Sequence, residues 1–355
     1  MASSLPTSIV ARENDGSVPV GPPTPKILWW SARHPPADPQ VSFAGRTVLV
    51  TGANAGLGFE AAVKYAKLGA SRLLLGVRSK DKGLAAKARI VEQTGIRGDA
   101  VSVLLVDLLR FSSVQKFVDE VNQTVDHLDV VLLNAGLASP TYKTSPEGYE
   151  LAVQVNVLST ALMALLLLPK LRATAAAGRT VHVSFTNSIG HVNAKAAEWQ
   201  GSTLLRAAND KASWTDQNSY MRVKLLGIVV MKVVAALAPR GLPDIAPGAA
   251  GGQIIVNASC PSMCKTEIGR DFGFVAKVMM VPFQAMFART AEEGSRTLVG
   301  ATALGPESQG GFWSHDCLYL VNELLEDASF VEETWKDILD DLDQHVPGAS
   351  KLASI

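Results

Sequence analysis

From Arg46 onward, short runs of aliphatic and β-branched residues alternate with longer stretches whose apolar positions recur at helical spacing. TVLVTG (47–52), RLLLGV (72–77), VSVLLVDL (101–108), VVLLNAG (130–136), TVHVSFT (180–186) and IIVNASC (254–260) read as strands, with CLYLV (317–321) as a further candidate. Between them the pattern predicts a helix over FEAAVKYAKLGA (59–70), a charged helix after the second strand, and helices near 151–174, 218–238 and 290–304. Strands this uniformly apolar suit a parallel sheet covered by helices on both faces. The expected fold is therefore α/β, a doubly wound parallel sheet forming a single domain over 43–346, with 347–355 as a C-terminal tail. The Pro/Gly-rich stretch 238–253 reads as an insertion ahead of the sixth strand.

Residues 1–42 follow neither period. Proline stands at 6, 19, 22, 23, 25, 35, 36 and 39, so this segment is expected to be an extended N-terminal arm without a core of its own. Trp29 and Trp30 would mark where the arm meets the body. Hydrophobic residues are 47% of the 355 and charged residues 19%, enough to bury a sizeable core. Lys plus Arg and Asp plus Glu are each 33, which leaves no positive field to attract nucleic acid. Cys260, Cys264 and Cys317 are too few and odd in number for a disulfide framework, and point to a reducing, cytoplasmic setting. A zinc site from these cysteines and His315 lacks tight Cys-x-x-Cys spacing, so no metal is expected. The N-terminus shows no secretory signal, and the longest apolar run, ALMALLLLP (161–169), falls short of the roughly 20 residues that a membrane span needs.

The first strand runs directly into Thr51-Gly52-Ala53-Asn54-Ala55-Gly56-Leu57-Gly58 and then a helix. Glycine serves where the backbone must turn sharply and touch a pyrophosphate, and the helix N-terminus offers free N–H groups to the anion. This is the signature of a Rossmann-type dinucleotide site. An acid about 20 residues on would hold the ribose hydroxyls of NAD. The second strand instead ends Val77-Arg78-Ser79-Lys80, with a guanidinium where a 2′-phosphate would lie, so NADP(H) is the expected cofactor.

With these motifs the sequence resembles the short-chain dehydrogenase/reductase family over about 43–346. The 51–58 loop resembles the family's Thr-Gly-x-x-x-Gly-x-Gly, which implies cofactor contacts from Gly52, Asn54, Gly56, Leu57 and Gly58. Asp107 and Leu108 match the adenine-contacting position, and Asn134-Ala135-Gly136 the Asn-Asn-Ala-Gly element, with Leu133 for its first Asn. Tyr220-Met-Arg-Val-Lys224 is similar to the Tyr-x-x-x-Lys pair, and Asn156 to a helix Asn that holds a water in a proton relay. Pro261-Ser262 stands where the family has Pro-Gly, and Thr266 matches a residue that contacts the carboxamide or diphosphate. LLLLPKLR, AAND, CKTEI and ARTAEEGSRTLV are most similar to fungal, retinol-dehydrogenase-like members, many of which serve secondary metabolism.

The Tyr/Lys chemistry follows from spacing. Positions i and i+4 share a helix face. An ammonium about 4 Å from a phenolate is worth about 4 kcal/mol at an effective dielectric near 20, which would bring Tyr220 down towards working pH. Tyr220 could then exchange a proton with a carbonyl oxygen as hydride moves. For the serine partner, Asn187-Ser188-Ile-Gly-His191 fits a frame in which the catalytic Ser ends a Ser-Ser pair, so Ser188 is preferred, with Ser184 as the fallback. His182 and His191 read as structural, since neither has an acid partner in sequence.

Two segments are expected to cover the substrate: 189–218, with Trp199, Leu204, Leu205 and Trp214, and 262–289, rich in Phe and Met. Adaptable apolar side chains there favour a bulky apolar ketone or alcohol, although the same residues could simply be core. In similar proteins the helices near 158–171 and 218–238 pack across a homodimer interface; here the arm could instead cover them. The main expectation is an NADP(H)-dependent carbonyl reductase or alcohol dehydrogenase. The alternatives are a non-redox enzyme on the same fold, catalysing cyclisation, epimerisation or dehydration, and a cofactor-binding protein without turnover.

Overall fold

The structure, a computed structural model, describes residues 9–242, 252–265 and 274–353, with the side chains of 274–280 left out. Along the chain come α1 (Pro25–Arg33), β1 (Thr47–Thr51), α2 (Gly56–Lys67), β2 (Arg72–Val77), α3 (Lys80–Thr94), β3 (Val101–Leu105), α4 (Phe111–Thr124) and β4 (Val130–Leu133). They are followed by α5 (Leu151–Val153), α6 (Ser159–Ala176), β5 (Val181–Thr186), α7 (Leu204–Asn209), α8 (Asp216–Leu237) and β6 (Ile254–Cys260). The last elements are α9 (Phe274–Phe287), α10 (Ala291–Ala301), β7 (Phe312–Ser314), β8 (Cys317–Leu318), α11 (Ala328–His345) and α12 (Ala349–Leu352).

One sheet runs in the order β3-β2-β1-β4-β5-β6-β7-β8. Its first seven strands are parallel and β8 returns antiparallel. All residues of β1, β4 and β6 are buried, as strands covered on both faces require. Helix α2 turns Ala61, Ala62, Tyr65 and Ala66 into the core, and Tyr65 shares a 2.8 Å hydrogen bond with Thr302 beyond α10. The order reverses between β1 and β4, so the carboxyl ends of those strands open a crevice at the switch point.

The far edge differs from the sequence reading. The seventh strand is Phe312–Ser314, too short to show a period, and CLYLV contributes only Cys317–Leu318. His315 (φ 55°) and Asp316 (φ 59°) make the two-residue turn between them, with the paired positive φ values that match hairpin twist. The arm is not uniformly extended either. Thr24 accepts the Ile27 N–H at 3.3 Å and Pro25 pre-sets the first turn, so a cap and an N1 proline start α1 inside a proline-rich segment. Trp30 makes the expected contact with the body, meeting His315 edge-on at 5.5 Å, whereas Trp29 is exposed under Arg33.

The run 161–169 is part of a longer helical stretch. Leu151–Ala176, with mean hydropathy 2.1, is long and apolar enough to cross a membrane by length and composition, but 83% of that window is buried inside the protein. It is a core helix.

The C-terminal helices cover part of the α6 and α8 surface. Helix α12 packs on α6, and α11 packs on α7 and α8. Arg206 fixes this cover by donating to both carboxylate oxygens of Asp341, at 2.7 and 3.1 Å. A pairing of two copies through those faces would first have to strip away α11 and α12. Light scattering behind size exclusion is therefore expected to give a monomer; a dimer that persists on dilution would contradict this.

Candidate functional site

The crevice is built from the β1 end upward. Thr51 Oγ1 accepts the backbone N–H groups of Asn134 and Ala135, both at 3.0 Å, and Asn134 Nδ2 donates to Thr51 O at 3.0 Å. These bonds hold the two strand ends at the switch point together. Gly52 turns the chain at φ 68°, and a Cβ on Gly58 would overlap Gly52 O and Asn134 Nδ2. Only glycine therefore lets α2 start this close to the strand. Ala55 at the N-cap of α2 offers no side-chain acceptor. The first-turn N–H groups, on residues that line the cleft, thus have no cap to satisfy them and suit an anion.

The cleft continues along Gly52, Asn54, Gly56, Leu57 and Gly58 to Arg78, then Asp107 and Leu108, and on the other side to Asn134, Ala135 and Gly136. Arg78 stands exposed at its rim. Lys82, which the sequence reading did not single out, lines the same end, one helical turn beyond Ser79, whose hydroxyl caps α3. Asp107 accepts the Leu109 N–H at 3.1 Å through Oδ1. A glycine cradle and an uncapped helix start together fit the pyrophosphate of a nicotinamide dinucleotide, and Arg78 and Lys82 make one end of the cleft cationic.

At the β5 end, the structure sets Ser188 beside Tyr220. The two side chains flank Gly190, where a Cβ would lie 3.1 Å from the Tyr220 ring and 3.4 Å from Ser188 Oγ, and Ser188 Oγ accepts the Gly190 N–H at 3.1 Å. Ser184 lies elsewhere, fully buried within the sheet and 3.3 Å from Ser259 Oγ. Asn187, the departure from the Ser-Ser frame, links the strand end to α8: its Oδ1 accepts the Ser188 N–H at 2.7 Å and its Nδ2 donates to Lys224 O at 3.1 Å. Gly227 leaves room for it, since a Cβ there would sit 2.8 Å from Asn187 Nδ2. His191 Nδ1 lies 2.7 Å from Ser188 O, and burial pushes its pKa down to about 4. A neutral ring bonded to a carbonyl must carry its proton on Nδ1, which makes His191 a brace for Ser188.

Lys224 Nζ lies 5.6 Å from the Tyr220 ring centroid. The expected lowering of the phenol is not what burial gives. Both side chains are half-buried to solvent yet closely surrounded by protein, and desolvation pushes Tyr220 up to about 12 and Lys224 down to about 8. Tyr220 is thus a protonated phenol at neutral pH, a donor rather than a standing base.

Asn156 sits in a π-helical turn, Gln154–Leu158, between α5 and α6. Its Oδ1 accepts the Leu137 N–H at 2.9 Å and its Nδ2 donates to Leu137 O at 2.8 Å. These two bonds set the turn after Gly136, where a Cβ would lie 3.0 Å from Asn156 Oδ1. Pro261 is buried, and Ser262 holds φ 63°, a left-handed conformation that costs a non-glycine residue about 1–2 kcal/mol. Thr266 lies outside the described residues. Of the 189–218 segment, Trp199, Leu204 and Leu205 belong to the main core. Arg222, 2% exposed, ties that segment to α8 by donating to Ala207 O at 3.0 Å and Glu198 O at 2.8 Å.

Residues 46–197 match the short chain dehydrogenase family. The chain is 44% identical over 332 residues to a short-chain dehydrogenase/reductase of Aspergillus flavipes, covering 92% of this chain and 94% of the relative. It is 40% identical over 323 residues to a short-chain dehydrogenase/reductase of Phaeosphaeria nodorum, covering 89% and 92%. Among solved structures, the L-sorbose reductase of Gluconobacter frateurii, complexed with NADPH and L-sorbose, shares the fold with a TM-score of 0.57 at 20% identity, over 77% of this chain and 95% of that one.

Proposed function

This chain belongs to the short-chain dehydrogenase/reductase family, and from that premise we propose that it is an NADP(H)-dependent oxidoreductase interconverting a ketone and a secondary alcohol on a bulky apolar small molecule. The observation behind the reading is that Ser188 and Tyr220 flank Gly190 with Lys224 beside the Tyr220 ring, in a fold whose cleft runs from the glycine loop to Arg78 and Lys82. Relatives from fungi support a place in secondary metabolism. Three free cysteines support a reducing, cytoplasmic setting.

When bound, the nicotinamide supplies or accepts the hydride. The residues of this chain handle the proton and the geometry. Ser188 holds the substrate oxygen beside the phenol and polarises it. Tyr220, protonated at neutral pH, gives its proton to that oxygen in reduction and takes it back in oxidation. The Lys224 ammonium lowers the cost of the phenolate left behind, Asn187 and His191 brace Ser188, and Asn156 fixes the Ala135–Leu137 backbone. The apolar composition of α9, with Val281, Phe283 and Met286 exposed, favours an apolar ligand.

The pH dependence follows from Lys224. Below about 8 it is charged and supports the phenolate, so ketone reduction is expected to fall as pH rises through that value. Its contribution to stability runs the other way. Between about 8 and the ordinary lysine value the unfolded chain keeps a proton that the native state has lost, so this contribution rises with pH. Lys224→Met should flatten both trends in pH profiles of kcat/KM and of urea unfolding; profiles identical to wild type would refute the assignment.

The reading is tested by incubating the protein with deuterated NADPH and a panel of apolar ketones. Deuterium at a carbinol carbon of the product supports it. NADPH left unconsumed across apolar ketones and alcohols in both directions, by a protein that binds it, speaks against it.

A further inference from the structure

We propose that Ser31, in the N-terminal arm, is a positioning residue for the nicotinamide end of the site, acting through Ser262 and the loop Pro261–Cys264. The proposal rests on the dinucleotide reading above and concerns a part of the chain outside the family-like core.

Ser31 on α1 is fully buried, and its hydroxyl lies 2.6 Å from Ser262 Oγ and 3.1 Å from His315 Nε2. His315 is held in turn by Ser314 Oγ, 3.0 Å from its Nδ1. Arg289, 1% exposed, reaches the same place and donates to Ser31 O and His34 O, both at 2.8 Å, and to Pro261 O at 3.4 Å. Three of its donors thus go to carbonyls of the arm and the loop, and no carboxylate lies within ion-pair distance among the described residues. A buried charge is tolerated only when its hydrogen bonds are met, so losing the arm would leave Arg289 without two of them. Outer clamps hold the arm down: Lys64 pairs with both Asp38 and Glu292, and Asp316 accepts the Ala37 N–H at 2.8 Å.

The loop held in this way lies between the two halves of the site. On one side it meets the glycine loop, because a Cβ on Gly294 would run into Cys264 Sγ, Leu57 Cδ2 and Pro261 Cβ together. On the other side, Cys260 Sγ accepts the N–H groups of both Ser262 and Ile189, each at 3.4 Å, and Ile189 follows Ser188. Ser262 adopts φ 63°, which a glycine would take freely. A glycine would carry no hydroxyl, however, and the link to Ser31 is what the strained serine gains. The arm therefore fixes the backbone that separates phosphate loop from proton donor, and the ligand half that feels it is the one reaching past Leu57, not the adenosine half at Arg78.

The full-length protein provides the test. Dissociation constants are measured for NADPH and for 2′,5′-ADP, which keeps the adenosine end and lacks the nicotinamide. Ser31→Ala is expected to weaken NADPH about threefold to tenfold and to leave 2′,5′-ADP within about twofold, the scale of one net hydrogen bond. Ser31→Thr should restore NADPH binding, and Ser31→Ala placed in a Ser262→Gly background should add no further loss. Equal weakening of both ligands, unchanged NADPH affinity, or full additivity with Ser262→Gly would overturn the proposal. A wild type that binds neither ligand would overturn the dinucleotide reading itself and this proposal with it.

Discussion

Replacing Tyr220 with Phe is expected to lower turnover of a ketone substrate by roughly 10³-fold while NADPH still binds, the scale of losing a positioned proton donor. The substitution removes one oxygen and keeps the ring, so the packing against Gly190 and the Lys224 contact survive. Only the phenol hydroxyl is lost. Single-turnover NADPH consumption with a responsive ketone, beside a cofactor titration of the same variant, separates chemistry from binding. Product formation at the wild-type rate would remove the proton-transfer role and favour a non-redox reaction on this fold.

Arg78→Glu is expected to change the ratio of NADPH to NADH affinity by roughly 10²-fold in favour of NADH, since a charge-assisted hydrogen bond worth about 1.5–3 kcal/mol is exchanged for repulsion. Arg78 stands exposed at the cleft rim. Lys82 lines the same end, so part of the phosphate affinity should survive the change, and removing both cations should take it further. An unchanged ratio would mean that the phosphate is read elsewhere.

How much of this was legible in the sequence depends on how local each signal is. The strands and the glycine loop were, because burial on both faces writes a continuous apolar run and because Gly52 and Gly58 stand where a Cβ would strike backbone. Tyr220 and Lys224 follow from helical spacing and a family motif. Other features depend on partners distant in sequence. Asn187 departs from the serine frame for a reason distant in sequence: its side chain donates to Lys224 O, with Gly227 making the space. Trp199, Leu204 and Leu205, whose apolar character alone fits a substrate cover or core equally, lie in the core, where Arg222 and the Arg206–Asp341 pair draw that segment onto α8 and α11. The proline count hid α1, whose start needs only Thr24 and Pro25. Helix α4, absent from the sequence expectations, carries a plain helical stripe of Phe111, Val114, Phe117, Val118 and Val121. The shift of Tyr220 towards about 12 could not be foreseen from spacing, since it depends on burial rather than on the nearby charge.

We propose that the cleft from Gly52 to Lys82 takes a nicotinamide dinucleotide with a 2′-phosphate. Titration of the purified protein with NADPH and with NADH, followed by cofactor fluorescence, tests it most directly. Tight NADPH binding with NADH weaker by at least about tenfold, one charge-assisted contact or more, is the predicted result. Equal affinities would contradict the role of Arg78, and the absence of binding by either would contradict the redox account as a whole.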